Sequence, residues 1–587
     1  MFGLLRERVR RTPDATAYRQ YDSHAKNWTA LTWQQVLRRT QKFAGALNEL
    51  DLPPRQNVGI LLKNCIEWVC FDMAAHQLGH VVVPLYPQDC PENAAHIIRD
   101  AELRLLFVDT ASRWNELQAC SEHFPVLDHI WLQRQDTAIN HVYDSLRIRS
   151  LDGVLSKADL YNVDRTTGSD SHATIIYTSG TTGVPKGVVL THYAILKNAE
   201  GVAKVIPPTP DDVFLSILPL AHAFERTLGY YLPMMAGSST AYAPSLQRLR
   251  SDLRNIKPTV VMGVPRLFEQ MHSIIRRSAK GNRLKLWLLD TTAKLGWRRS
   301  QWLRGQGKCP PPHERLLWPL LAAIVVTPVT DALGGRLRVA VSGGANLPTD
   351  IAEFLIGLGL PLVEGYGLTE TGPVVTASTL EDYVPGSVGF PISGVDLKVS
   401  DHGELLVCTT SKMTGYWRNS EASSKAFLDD RWLRTGDLAE LREGRVYIVG
   451  RCKDTLVLSN GENVNPEALE AVIAVDPLIK QICLVGDRRP FLSAIVVVDM
   501  KLWLDLAHTE QLDPSKPNTD LSKSLVLKRI AKRLKGRPTF QQVRAVHIEL
   551  DEWTVEGRLI TPTLKVRRSF VLAKYTSQIE QIYKLRQ

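Results

Sequence analysis

Patterned cysteine is missing from this chain. Its 587 residues include eight cysteines, at 65, 70, 90, 120, 309, 408, 452 and 483, with no CxxC pair and no His/Cys cluster at zinc spacing. That distribution excludes a disulfide framework and a structural zinc site, and predicts reduced thiols, several of them buried, in a cytoplasmic protein. Long apolar runs are also missing. The N-terminal Met1–Arg10 stretch is interrupted by charge and predicts no signal peptide. The longest apolar run extends only from Leu316 to Val329 and contains Pro319 and Pro328. It falls short of the roughly 20 residues that span a bilayer, and is either core or a contact with a membrane interface. There is no internal repeat and no low-complexity segment. Acidic residues are in the minority, 61 against 71 Lys and Arg, for a net charge of +10. The excess suits a solvated basic surface or attraction to an anionic membrane, a nucleotide or nucleic acid, although no nucleic-acid-binding module is recognisable.

What is there is ordinary globular composition, 44% hydrophobic and 22% charged, in a chain too long for one core. Helical spacing over Trp33–Leu50 and Ile66–Leu78 alternates with short apolar strands at Asn57–Leu62, His80–Leu85 and Leu103–Val108, and the strand signal returns at Pro258–Met262 and Leu337–Val341. Strands apolar on both faces between helices predict an α/β fold with parallel sheets flanked by helices. From Gly386 to Val407 short alternating strands predict a small β subdomain. Beyond a boundary near Gly450, a strand, a helix and the apolar Phe491–Val498 predict a smaller α+β unit. Between 275 and 315, Arg276, Arg277, Lys280, Arg283, Lys285, Arg298, Arg299, Arg304 and Lys308 are interspersed with Leu and Trp. This predicts one or two basic amphipathic helices, either a charged surface face or a membrane-docking one.

The chemistry-bearing segment is Tyr177-Thr178-Ser179-Gly180-Thr181-Thr182-Gly183-Val184-Pro185-Lys186-Gly187-Val188. Its glycines let backbone N–H groups turn toward one centre, its hydroxyls add donors, and Lys186 adds positive charge. That combination suits a polyphosphate. It is not a Walker A loop, because Lys186 lies between Pro185 and Gly187 and no Ser or Thr follows it. Further segments follow in order: Leu218-Pro-Leu-Ala-His222-Ala-Phe-Glu-Arg226, Ser342-Gly343-Gly344-Ala345-Asn-Leu-Pro348, Glu364-Gly365-Tyr366-Gly367-Leu-Thr369-Glu370, Trp432-Leu-Arg-Thr-Gly-Asp437, Gly450-Arg451-Cys-Lys453-Asp454 and Thr561-Pro-Thr-Leu-Lys565. Together they resemble the signature motifs of the adenylate-forming (AMP-binding) superfamily of acyl-CoA synthetases.

The resemblance implies a large N-terminal adenylation domain over residues 1–450, which binds the acyl group and ATP, and a mobile C-terminal lid domain over 451–587. It implies ATP-dependent formation of an acyl-adenylate and transfer of the acyl group to coenzyme A, with AMP and pyrophosphate released. ATP or AMP would contact Thr178, Ser179, Gly180, Thr181, Thr182, Gly183 and Lys186 of the phosphate loop. The small Gly343, Gly344 and Ala345 would allow close approach of the base, and Tyr366 would offer it a ring, within a stretch that also brings Glu364, Gly365, Gly367 and Thr369. Asp437 would accept both ribose hydroxyls, with Arg451 nearby. Glu370, helped by Thr178, would bind Mg²⁺, an ion that favours oxygen ligands and phosphates. Glu370 is otherwise a helix-capping carboxylate, and Asp437 otherwise a turn aspartate. Lys565 would bridge the attacking carboxylate and the α-phosphate as a point charge; without its motif it would belong to a solvated charged cluster. Lys453 would be the hinge. His222 would stand at the mouth of the acyl or thiol passage, or is a core histidine.

Within the superfamily the wording resembles long-chain fatty acyl-CoA synthetases. Met262-Gly-Val-Pro-Arg266-Leu-Phe precedes a long helical insert, and Leu559 to Arg568 is followed by a helix to Tyr583. The substrates implied are a long-chain fatty acid, ATP and coenzyme A, in a cytoplasmic enzyme with a peripheral contact on the anionic inner face of a membrane. Two alternatives stand beside this reading. One is a fatty acyl-AMP ligase that loads a carrier protein, and no carrier domain follows the lysine motif. The other is a non-catalytic nucleotide- or lipid-binding homologue.

Overall fold

A computed structural model describes residues 1–23, 25–120, 124–138, 147–163, 167–178, 185–279, 281–429, 431–561 and 565–584. Two large sheets form the N-terminal part. In the first, Val81–Pro84, Asn57–Leu61, Leu105–Thr110 and His129–Arg134 run parallel, and His172–Thr178 joins parallel to Val81–Pro84. In the second, Leu362–Gly367, Val339–Ser342, Val260–Gly263, Val213–Ser216, Ser239–Tyr242 and Thr16–Asp22 are parallel neighbours. The inner strands, such as Asn57–Leu61 and Val260–Gly263, are buried on both faces because helices cover the sheets. The helix Ile66–Gln77 is apolar nearly all round and correspondingly buried nearly all round.

One tie between the sheets is polar. Arg226, fully buried, donates to the Asp72 carboxylate and, through Nη1, to Thr174 Oγ1 at 2.6 Å, and it lies 5.1 Å from the Trp68 ring centre. The Tyr230 and Tyr231 hydroxyls also donate to Asp72. Desolvating two charges costs several kcal/mol each, and hydrogen bonds offset that cost at the Asp72 carboxylate, while Arg226 Nε has no partner among the described residues.

The small β subdomain is an antiparallel sheet of Val395–Val399, Glu404–Thr409, Leu433–Arg442 and Arg445–Arg451. Beyond it, Ile479–Val485 pairs antiparallel with Leu492–Val498, which pairs parallel with Val543–Glu549. Alternate residues of these strands feed two separate cores. Leu484, Ala494 and Val496 face one, and Cys483, Ile495 and Val497 face the other, so helices cover both sides of this α+β unit. The unit meets the N-terminal part through ion pairs: Arg558 with Glu92 at 3.0 Å, Arg266 with Glu552 at 3.9 Å, and Arg533 with Asp350 at 4.0 Å.

The basic stretch folds as the helices Pro265–Ser278 and Arg283–Leu303, with Lys280 outside the described residues. The apolar run beyond it departs from expectation. The helix begins at Pro312, continues through both prolines to Ala332 and is 21 residues long, so by length and composition it does reach membrane-crossing dimensions. A π-helical turn at Ala322–Val326 separates Pro319 from Pro328 and absorbs the break each would impose.

Candidate active site

The cleft lies where the parallel strands of the second sheet end, the position at which open α/β sheets bind ligands. The loop after Val339–Ser342 carries Gly343, Gly344 and Ala345; the latter two are exposed, and Gly344 takes a left-handed backbone, φ +83°. Beside it the strand Leu362–Gly367 turns into Val374–Ala377, with an irregular register between Tyr366 and Gly367. Gly367 is required there, because any Cβ would fall inside contact distance of the Pro373 carbonyl. Gly365 backs onto the Thr376 carbonyl, and Thr369 is buried in a 3₁₀ turn with Glu370.

Tyr366 and Asp437 come together. The Tyr366 hydroxyl donates to Asp437 Oδ2 at 2.6 Å, and Arg451 Nε lies 3.1 Å from Oδ1. Asp437 and Arg451 are register partners in the small sheet, so backbone pairing fixes their meeting. A carboxylate offers about four lone-pair positions. Two are used, leaving two for hydroxyl donors. Burial raises the Asp437 carboxyl above its usual range, opposed by Arg451, Tyr366 and Lys565.

Lys565 reaches this cluster from the α+β unit. It closes a short loop, its N–H donating to Thr561 Oγ1 at 3.1 Å while the Thr561 N–H donates to its carbonyl; residues 562–564 of the motif lie outside the described residues. The residue is exposed; desolvation by its surroundings lowers its pKa, reinforced by Arg451 and opposed by Glu467 and Asp437. The same amine acts on His222, whose pKa is lowered to about 4, first by burial and then by Lys565. His222 Nδ1 accepts the Phe224 N–H at 3.2 Å. The ring is therefore neutral at pH 7 with its proton on Nε2. Asn64 fixes the approach to it, donating to the Leu218 carbonyl at 2.7 Å and accepting the Leu220 N–H at 2.8 Å.

The phosphate-loop residues are placed in part. Thr178 and Lys186 are register partners on the two strands of the hairpin, while Ser179, Gly180, Thr181, Thr182 and Gly183 lie outside the described residues. Lys186 Nζ is 5.4 Å from the Tyr416 ring centre, and the Tyr416 hydroxyl donates to Glu370 Oε1 at 2.9 Å. Burial raises the Glu370 carboxyl, and the Tyr416 hydroxyl opposes that shift. Glu370 thus keeps one oxygen beyond its Tyr416 bond. A single carboxylate and a hydroxyl suit a Mg²⁺ that keeps waters and phosphate oxygens in its shell, rather than an all-protein cage.

The side chain of Glu364, expected among the nucleotide contacts, is buried. Glu364 is 3% exposed; it accepts the Tyr383 hydroxyl at 2.6 Å and the Leu347 N–H at 3.4 Å, and burial pushes its pKa up to about 7. Its side chain holds the 342–348 loop through the Leu347 N–H. Lys453 sits in the exposed turn at 452–454, where the 454 and 455 N–H groups return only to the Arg451 carbonyl. Tyr416, Asn64 and Glu467 went unforeseen; Tyr416 had only the signal of an aromatic after Gly415.

Fold and cleft together define a class, an adenylate-forming α/β enzyme whose C-terminal α+β unit supplies a lysine to the strand ends. The chain belongs to the AMP-binding enzyme family, which matches residues 5–417, with the family's C-terminal domain matching 453–587. It is 30% identical over 594 residues to the long-chain-fatty-acid–CoA ligase FadD15 of Mycobacterium bovis, covering 99% of this chain and 96% of that one. It is 30% identical over 614 residues to the chloroplastic long-chain-fatty-acid–[acyl-carrier-protein] ligase AEE15 of Arabidopsis thaliana, covering 94% and 82%. Among solved structures, the anthranilate CoA ligase AuaEII in complex with anthranoyl-AMP has the same fold, with a TM-score of 0.75 at 19% identity over 99% of this chain and 98% of that one.

Proposed function

We propose that the protein activates a long-chain fatty acid with ATP to an acyl-adenylate and then transfers the acyl group to coenzyme A, releasing AMP and pyrophosphate. The observation that carries this reading is the convergence of His222, Asp437, Arg451 and Lys565 from separate segments on one cleft. A carboxylate and ATP repel each other, so the reaction needs fixed positive charge aimed at the α-phosphate. Lys565 supplies that charge, beside Asp437 and Arg451. Asp437 takes the ribose hydroxyls, with Arg451 and Tyr366 holding its orientation. Gly343, Gly344, Ala345, Gly365, Tyr366, Gly367 and Thr369 line the base and the start of the triphosphate. Thr178, Lys186 and the loop between them bind the outer phosphates. Mg²⁺ bound with the phosphates would be held by Glu370 and Thr178 and would neutralise charge there. His222, neutral, guards the acyl entrance.

Residues 1–450 act as the adenylation domain and 451–587 as the lid, pivoting at Lys453. A Lys453→Pro variant is expected to adenylate yet fail in thioester formation; normal turnover would refute the pivot. The long acyl chain is supported by the relative from M. bovis. The relative from A. thaliana supports a second acceptor, an acyl carrier protein. The protein is read as cytoplasmic, with peripheral contact on an anionic membrane.

The test is a panel of carboxylic acids of increasing length scored for pyrophosphate release, with and without coenzyme A. Release only with long-chain acids and a thioester with free coenzyme A are expected. Release without a coenzyme A thioester would favour the carrier protein, and no acid-dependent release would favour a non-catalytic homologue.

A further inference from the structure

The proposed chemistry leaves one large feature unused. The helix Pro312–Ala332 has the length and apolarity of a membrane-crossing helix, yet only 6% of its most apolar stretch is buried. A core helix of that composition would be mostly covered. Leu316, Leu320 and Ile324 are 84%, 57% and 53% exposed. Their spacing of four aligns them along one side. No charged residue occurs from Leu316 to Thr330. The opposite side is fixed to the protein: Leu321 and Val325 are buried, and Trp318 lies against Gly296 of the neighbouring helix Arg283–Leu303.

The helix cannot span a bilayer in this fold, because both of its ends return to the same body. Arg298 holds Glu314 at 2.8 Å at one end. At the other, Val326 and Thr330 lie against Gly359, and the chain then enters the core strand Val339–Ser342. Spanning would put the ends some 30 Å apart on opposite faces. Basic residues outnumber acidic ones around the helix, where Glu314 is paired with Arg298 and Asp331 is exposed near the far end. Much of the basic stretch is engaged internally, Arg276 with Asp290, Arg299 over Trp318 and Arg304 with the Tyr383 carbonyl. Arg277, Arg283, Lys285, Lys294 and Lys308 are exposed and form no ion pair among the described residues. A second copy of the chain would bring like charges together, whereas anionic headgroups complement them.

We propose that the Pro312–Ala332 helix lies in the interface of an anionic phospholipid bilayer, its Leu316–Leu320–Ile324 edge in the acyl boundary and the free lysines and arginines among the headgroups. This rests on the peripheral contact proposed above and assigns it to one element, distinct from the catalytic cleft.

Flotation of the full-length protein with phosphatidylcholine vesicles, with or without phosphatidylglycerol and at low and high salt, tests it. Wild type is expected to float with the anionic vesicles and to be released by salt. A Leu316→Glu, Leu320→Glu, Ile324→Glu variant is expected to lose about tenfold or more in vesicle affinity, since both apolar insertion and charge match are removed. An Arg283→Ala, Lys285→Ala variant is expected to lose a few-fold and to respond less to salt. All substituted positions are exposed, so the thermal midpoint and the rate on a water-soluble acid are expected to stay unchanged. Wild type that ignores anionic vesicles would overturn the peripheral contact itself. Wild type that binds while the triple variant binds equally would overturn this assignment alone. A triple variant that keeps vesicle binding but dissociates a dimer would make the helix a contact between copies, which also overturns it.

Discussion

Lys565 carries a positive charge into a place that disfavours it, and that tension defines its expected role. Lys565→Ala is expected to lower acid-dependent pyrophosphate release by roughly 10²–10³-fold, the scale of removing one preorganised electrostatic donor, while thioester formation from supplied acyl-adenylate stays nearly intact. Measuring the half-reactions separately checks this, and equal loss of both would assign Lys565 elsewhere. Glu225 poses the opposite problem, a fully buried carboxyl whose pKa is pushed up to about 8 by burial, well above the ordinary 4.5. Between those values the folded protein keeps a proton that the unfolded chain has released. The contribution is therefore complete below about pH 4.5 and is lost as pH rises toward 8. Glu225→Gln imitates the protonated form. Its thermal midpoint relative to wild type is expected to improve from pH 4.5 to pH 8 in scanning calorimetry; an offset constant across that range would sink the argument.

Two helices near the cleft meet through glycine. Gly296 of Arg283–Leu303 rests against the Gly357 carbonyl at the end of Thr349–Gly357, and Gly357 rests against the Ala293 carbonyl. The second helix begins just after the loop of Gly343, Gly344 and Ala345, so the spacing of the pair bears on that loop. Gly296→Val is expected to cost about 1–3 kcal/mol through overpacking and to raise KM for ATP. A chemical-denaturation midpoint and a KM measurement check both; an unchanged KM would uncouple the helices from the base. At this scale the sequence was informative wherever a pattern repeats. The expected strand Asn57–Leu62 appears as Asn57–Leu61, and the expected helix Trp33–Leu50 as Trp33–Asn48. The resemblance named Asp437 and Arg451 together, and the register makes them partners. Tyr416 and Asn64 were invisible because they act through polar contacts to distant segments, Tyr416 to Glu370 and Asn64 to Ser216, Leu218 and Leu220, which leave no periodic trace. Glu364 reads as a ligand because it is a carboxylate beside glycines, and in the fold its side chain is buried and holds Tyr383 and the Leu347 N–H. The helix through Pro319 and Pro328 was unforeseen because a π turn, which the sequence does not announce, accommodates them.

Across the whole molecule, the C-terminal unit is held against the rest by exposed pairs, each worth about 0.2–1 kcal/mol. Charge reversal at Glu92, which meets Arg558 at 3.0 Å, is expected to loosen the arrangement that brings Lys565 to the cleft. Glu92→Lys is expected to slow adenylation a few-fold and leave thioester formation from supplied adenylate unchanged or faster. A slowing of both steps would mean that the pair supports folding rather than orientation. The pairing of Asp437 with Arg451 has a further consequence. The 452–454 turn begins at the very next residue, so under the proposed function the contact with the sugar would be the last fixed point before a swing of the lid. A rotation starting there would leave the intermediate anchored by the stationary half, and the enzyme would change partners without letting go of what it has made.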